Sequence, residues 1–287
     1  MLGIGAKAKV DSEGRRWPGP FGPYYLLELI NSGGMADLWL ATDANKQTCA
    51  IRCLRETSRF DFTTRRRFLR GCEILSHIHN HEFVIGYLGH GKIDGTHYLA
   101  MEYVEGSNLK MLMAQSDPTL EEIAGNLLID AAQALEHVHE SGYMHLDFKP
   151  ENLVITRNGS VRLVDFDLAL KRPEFAEKLG ANPGTPAYMS PEQLLREPVD
   201  HRADIFAFGV TAYEFLTFRK PFPGENADEI LSRHLDRSID FVTPREVNPD
   251  LPLALERIVL KCLEREPDKR YPFMSVVVRD LQSVLYV

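Results

Sequence analysis

The sequence predicts an α+β chain of two lobes, the first built mainly of strands and the second mainly of helices. Three observations carry this. Short apolar runs separated by turn residues fill residues 22 to about 104. A single segment of helical period interrupts them. After Ser107 the apolar residues recur at helical spacing almost to the C-terminus, and strands followed by helices are the pattern of an α+β fold.

In the first part, Tyr24 to Ile30, Asp37 to Ala41, Cys49 to Leu54, Val84 to Gly91 and Tyr98 to Tyr103 are candidate strands. Asn31-Ser32-Gly33-Gly34, Asp43-Ala44-Asn45 and Asp94-Gly95 supply the turns between them. The helical interruption is FTTRRRFLRGCEILSHI, where Phe68, Cys72, Leu75 and Ile78 share a face. In the second part, Asp117-Pro118-Thr119 with Glu121 and Glu122 reads as a helix start, and Gly142 as its stop. Ile123, Leu127, Ala131, Leu135 and Val138 form the apolar stripe between them. Further helices are expected over about Ala203–Leu216, Leu253–Leu263 and Met274–Val284. The domain reading is a flexible segment 1–20, rich in Gly, Pro and charge, then one domain 21–287. Its lobes cover about 21–104 and 105–287, joined near Glu105-Gly106.

Composition excludes several classes. The net charge of −8 argues against a nucleic-acid binder. No apolar run approaches the ~20 residues of a membrane span, and the N-terminus lacks the apolar segment of a secretory signal. Cys49, Cys53, Cys72 and Cys262 lack metal-ligand spacing and read as free thiols of a reducing, cytoplasmic compartment.

The chemistry concentrates in MHLDFKPENLVI, Met144 to Ile155, and VRLVDFDLAL, Val161 to Leu170. Asp147, Lys149 and Asn152 crowd one polar break between apolar runs, and Asp165 follows a strand. A carboxylate can orient a hydroxyl, and an ammonium can neutralise a phosphate. An amide oxygen with a second carboxylate can hold Mg²⁺.

With these motifs the chain resembles the eukaryotic-like (Hanks-type) protein kinase family, closest to bacterial serine/threonine kinases, from about Phe21 to Val287. The landmarks run in family order: a glycine-bearing hairpin, a strand with a central basic residue, His145-Leu146-Asp147 with Asn152, Asp165-Phe166, Ser190-Pro191-Glu192, and Arg270. The resemblance implies the bilobal protein kinase fold and use of ATP and Mg²⁺ on a protein substrate, or binding of a protein partner. It implies Asp147 as base, Lys149 as the lysine that meets the transferred phosphate, and Asn152 and Asp165 as Mg²⁺ ligands. Leu38, Ala50 and Val154 resemble the adenine sandwich and Met101 the gatekeeper. Glu102 and Val104 resemble the backbone hinge. Glu192 is expected to pair with Arg270, and Asp204 to anchor the catalytic loop.

The phosphate-gripping end departs from the family. In INSGGMADLWLA, Asn31 and Ala36 replace the first and third glycines, and Gly33 matches the second. Asn tolerates the unusual backbone angles of such a loop better than Ala does. Arg52 stands where the family has its strand lysine, and Gly71 where it has the partner glutamate. Glu73, two residues on, is rotated by about 200° and is expected to point elsewhere. The sequence leaves three positions open for Arg52: on the phosphates of a nucleotide, paired with Asp165, or on the surface of a misassigned strand. Leu146 replaces an arginine that in many relatives binds an activation-loop phosphate. The loop Leu168–Pro191 offers before Ser190 only Thr185 and Tyr188, so no regulation by phosphorylation there is expected. Asp167 replaces a glycine and reads as an added ligand or a solvated turn residue. Arg65, Arg66, Arg67 and Arg70 read as a solvated face or a docking patch. These changes favour a pseudokinase that binds a nucleotide or a partner. The alternative is a slow or atypical serine/threonine kinase.

Overall fold

A computed structural model describes residues 17–55, 62–180, 184–236 and 241–285. Two compact units emerge: residues up to Asn80 with Ile85–Val104, and His81–Val84 with Glu105–Val287.

The first unit is one six-stranded sheet with a helix. Its strands are β1 (Gly19–Phe21), β2 (Tyr24–Ser32), β3 (Ala36–Thr42), β4 (Thr48–Leu54), β5 (Tyr87–Ile93) and β6 (Thr96–Glu102), ordered β1-β2-β3-β4-β6-β5. Helix α1 spans Phe62–Ile78. The expected flexible start is corrected at its end. Gly19 and Pro20 pair with Leu26 and Tyr25, and fully buried Phe21 pins the strand. Pro20 fits because an edge strand does not need its N–H. Residues 1–16 lie outside the described residues. The strand expected from Val84 starts only at Tyr87, since Val84 instead makes a single parallel bridge to Leu163 of the second unit. Alternation sorts the central strands into two faces. Trp39, Ala41, Cys49, Ile51, Cys53 and Ala100 form a core with Phe21 and Leu26. Leu38, Leu40, Ala50, Arg52, Leu99 and Met101 are matched in register on the other face. Asp94 and Gly95, both at positive φ, close the β5–β6 hairpin as such a two-residue turn requires.

The second unit opens with β7 (Gly106–Asn108), α2 (Leu109–Ala114) and α3 (Thr119–Glu140). Asp117 Oδ1 accepts from the Thr119 N–H and hydroxyl at the start of α3. Gly142, at φ +85°, turns the chain away after its last residue. Leu127, Leu128, Ala131, Leu135 and Val138 are the buried side of α3. Then come β8 (Tyr143–Met144), β9 (Leu153–Thr156), β10 (Val161–Leu163), β11 (Leu170–Lys171), β12 (Glu177–Lys178), α4 (Pro191–Leu194) and β13 (Pro198–Val199). The helices α5 (Arg202–Thr217), α6 (Ala227–Leu235), α7 (Pro244–Val247), α8 (Leu253–Cys262) and α9 (Met274–Leu285) complete it. Helix α5 is buried along almost its whole length, the signature of a core helix. No helix among the described residues is long and apolar enough to cross a membrane. All four cysteines are buried and free.

Candidate active site

In the second unit the candidate catalytic residues follow from one hairpin. β9 and β10 pair antiparallel, with Leu153 opposite Leu163 as the last rung. The Val164 N–H continues the ladder to the Asn152 carbonyl at 3.0 Å. Asn152 and Asp165 therefore leave the same end of the hairpin. Asp165 sits at φ +63°, a conformation aspartate tolerates better than most residues. Val154 lies within β9, opposite Arg162 and Asn108.

Asp147 is held from two sides. Its Oδ2 accepts from Lys149 Nζ at 2.7 Å and from Asn152 Nδ2 at 3.1 Å. Asn152 Nδ2 also donates to the Asp147 carbonyl at 2.8 Å, so the amide's oxygen is the end turned away from Asp147. Lys149 Nζ donates as well to Thr185 Oγ1 at 2.9 Å, tying the loop Leu168–Pro191 to the loop that carries Asp147. His145 is fully buried. Its Nδ1 accepts from the Asp147 N–H at 3.3 Å, which leaves Nε2–H to donate to the Val164 carbonyl at 3.2 Å. One neutral imidazole thus joins the strand before Asp165 to the loop carrying Asp147.

The loop is anchored from below. Asp204, the buried first-turn acid of α5, accepts from the His145 N–H (2.8 Å) and the Leu146 N–H (2.7 Å). It also pairs with His139 Nε2 at 2.9 Å. Burial alone would raise its pKa. The hydrogen bond and electrostatic pull of His139, with the Leu146 N–H, outweigh this and hold it below the usual carboxylate value. Leu146 is kept at φ +61°, costly for a branched side chain, so the anchor also supports backbone strain. Arg270 makes the other expected pair, bidentate with Glu192 at 2.7 Å for each bond. Its remaining N–H groups reach the carbonyls of Glu264, Arg202 and Arg265.

Asp167 is a correction. It is 3% exposed, so it is not a solvated turn residue. The packing of Phe166 edge-on to His145, ring centroids 5.0 Å apart, draws the turn inward. Two contributors had no local signal in the sequence. One is His139, whose partner lies 65 residues away. The other is Glu214, which accepts from Tyr188 and Lys110 at 2.5 and 2.6 Å.

In the first unit Arg52 lies on β4 between Leu38 and Leu99, so the misassigned-strand option is removed. Its guanidinium carbon stands 5.6 Å from the centre of the Phe68 ring, within cation–π range. Phe68 and Gly71 are three residues apart on the buried side of α1. Glu73 is exposed. Ala50 faces Met101 across the strands. The Glu102 N–H bonds the Gly86 carbonyl at 2.8 Å, and its carboxylate accepts the Gly86 N–H at 2.9 Å. Val104 is half-buried at the end of the unit.

The glycine hairpin also differs from expectation. Asn31 is in β2 opposite Leu38, and Ala36 opens β3. Neither is among the positive-φ residues, so neither substitution strains this turn. Gly33 N–H closes it on the Ala36 carbonyl at 3.0 Å. Ser32 Oγ donates to buried Asp37 at 2.7 Å, and Arg55 lies 3.4 Å from the same carboxylate.

Residues 24–281 match the family model for the protein kinase domain. The chain is 32% identical to the serine/threonine-protein kinase PknH of Mycobacterium tuberculosis over 263 residues, 91% of this chain and 42% of that protein. It is 31% identical to the serine/threonine-protein kinase PrkC of Bacillus subtilis over 264 residues, 91% and 40% respectively. It thus spans about two fifths of the length of these relatives. A strand-rich unit, a helical unit and the family match agree on one conclusion: the chain belongs to the protein kinase family, of the bacterial Hanks type, with its bilobal α+β fold.

Proposed function

We propose that the chain is an ATP-dependent protein serine/threonine kinase, slowed by its altered phosphate grip. The observation that carries this is Asp147, fixed by Lys149 and Asn152. Its Oδ1 takes the proton of the acceptor hydroxyl as that oxygen bonds to the γ-phosphorus and ADP departs. Lys149 offsets charge on the transferred phosphate. Asn152 and Asp165 suit Mg²⁺, which takes one or two carboxylates and leaves its other positions to phosphate and water. When bound, the ion neutralises phosphate charge. Gly33 and Gly34 have neither positive φ nor crowding neighbours, so nothing in the fold demands glycine there. That fits a turn kept bare for a phosphate to approach. The relatives' names support a protein hydroxyl as acceptor.

A specific observation favours a second reading, a nucleotide- or partner-binding pseudokinase. The Arg52 guanidinium lies over the Phe68 ring, a contact that constrains where its fork points. A phosphate displaced by about 1 Å can lose on the order of 10²-fold in rate.

Thermal unfolding with ATP, with and without Mg²⁺, separates the two. At ~100 times the dissociation constant a ligand adds about 2.7 kcal/mol of stability. The kinase reading predicts a stabilisation that needs Mg²⁺ and is lost in Asp165→Asn. Stabilisation by ATP alone favours the pseudokinase. No stabilisation at millimolar ATP overturns the kinase reading.

A further inference from the structure

The loop Leu168–Pro191 carries three hydroxyls, Thr185, Tyr188 and Ser190, and each has a structural task. Thr185 accepts from Lys149. Tyr188 is 4% exposed and donates to Glu214. Ser190 is fully buried and donates to Gln193. Tyr188 and Ser190 are buried, and Thr185 is half-buried beneath Lys149.

Something else holds the loop. Met144, Leu146, Val199 and Ala203 form a buried apolar cluster, and Leu170 and Leu179 pack against it. The two leucines come from opposite ends of the exposed stretch. Each has a short strand pair at or beside it: Leu170 pairs with Met144, and Glu177 and Lys178 pair with Val199 and Pro198. From Glu174 to Gly180 every residue is exposed except Leu179, and Phe175 is 79% exposed. Leu179 is therefore the one anchor in a polar, two-rung pairing that would otherwise be marginal. At the inner end, a methyl built on Gly184 would lie 3.6 Å from the Leu146 carbonyl, so the chain beyond the anchor also runs close to Leu146.

We propose that Leu146 and Leu179 are positioning residues. Together they latch the loop onto the catalytic loop by apolar contact, so that it keeps its arrangement with no phosphate on it. The inference rests on the kinase reading for its purpose, and on packing alone for its geometry. Leucine suits both roles of residue 146: its N–H is fixed by Asp204 and its side chain supplies the cluster. A cation there would have to be buried, because Leu146 is 8% exposed.

The test is limited chymotrypsin cleavage after Phe175, a bond distant enough from residue 179 to be chemically unchanged. The full chain is used, shown by peptide mass to carry no phosphate on 168–191. Cleavage reports local opening of the loop. Leu179→Asp is expected to speed cleavage by about tenfold or more while the melting temperature of the whole protein stays at the wild-type value. Leu179→Met is expected to cleave at the wild-type rate. Wild-type cleavage in Leu179→Asp overturns the latch, as does a faster rate that only follows a fall in global melting temperature. Rapid cleavage of the phosphate-free wild type, slowed by phosphorylation, also overturns it. Failure of the kinase reading shows separately, as absent phosphate transfer with the cleavage pattern unchanged.

Discussion

Arg52 is held on β4 between Leu38 and Leu99, with its guanidinium over the Phe68 ring. Its strand and its central position were legible from the apolar run around it, and so was the missing carboxylate at Gly71. Its aromatic neighbour Phe68 was not, because strand and helix meet only through tertiary packing. The backbone at Asn31 and Ala36 was misread for the same reason: a turn's φ values follow from its register, and the bulge at Leu29/Asn31 that sets this register has no residue signature. A different residue yields a prediction on pH. Asp130 on α3 is raised to about 6, first by burial and then by the nearby Glu82 charge, with the Val161 N–H and Arg162 acting in the opposite sense. A carboxyl raised above its unfolded value stabilises the fold while protonated, below about pH 4. That contribution is lost as pH rises through about 6. Asp130→Asn keeps the acceptor for Val161 without the charge. It is expected to stabilise at pH 7.5 by on the order of 1 kcal/mol, after discounting for partial exposure, and to change nothing at pH 4. Thermal melts at both pH values check this.

At the scale of elements, periodicity sufficed where helices are long. The stripe on α3 and the runs that became α1, α8 and α9 give bounds within a residue or two of those read from sequence. Short elements escaped: α2, α6 and the two-residue strand pairs depend on neighbours more than on their own pattern. The loop contacts that shape the site belong to this class. The Arg270–Glu192 pair is what ties α4 to the chain before α9. All five guanidinium N–H groups have acceptors, and both side chains are 5% exposed or less. Arg270→Met leaves Glu192 as a buried unpaired charge and is expected to cost ~3–5 kcal/mol. Adding Glu192→Gln is expected to recover part of it, read as a non-additive shift of the urea midpoint.

Across the whole molecule, the two units differ in what they keep of the family's residues. The order of motifs along the chain was enough to name the family. The second unit keeps every residue that the resemblance marks for base, phosphate and metal: Asp147, Lys149, Asn152 and Asp165. The first unit carries the changes, at Asn31, Ala36, Arg52 and Gly71. On the proposed kinase reading, the changes in the first unit are what would slow phosphate transfer. The most direct measurement is transfer of the labelled γ-phosphate of ATP, with Mg²⁺, to a protein acceptor by the wild type and by Asp147→Asn. Slow, measurable transfer is expected from the wild type, and a loss of at least about 100-fold in the variant, the scale of a removed general base. Transfer by Asp147→Asn at the wild-type rate, or none by the wild type, would contradict the kinase reading.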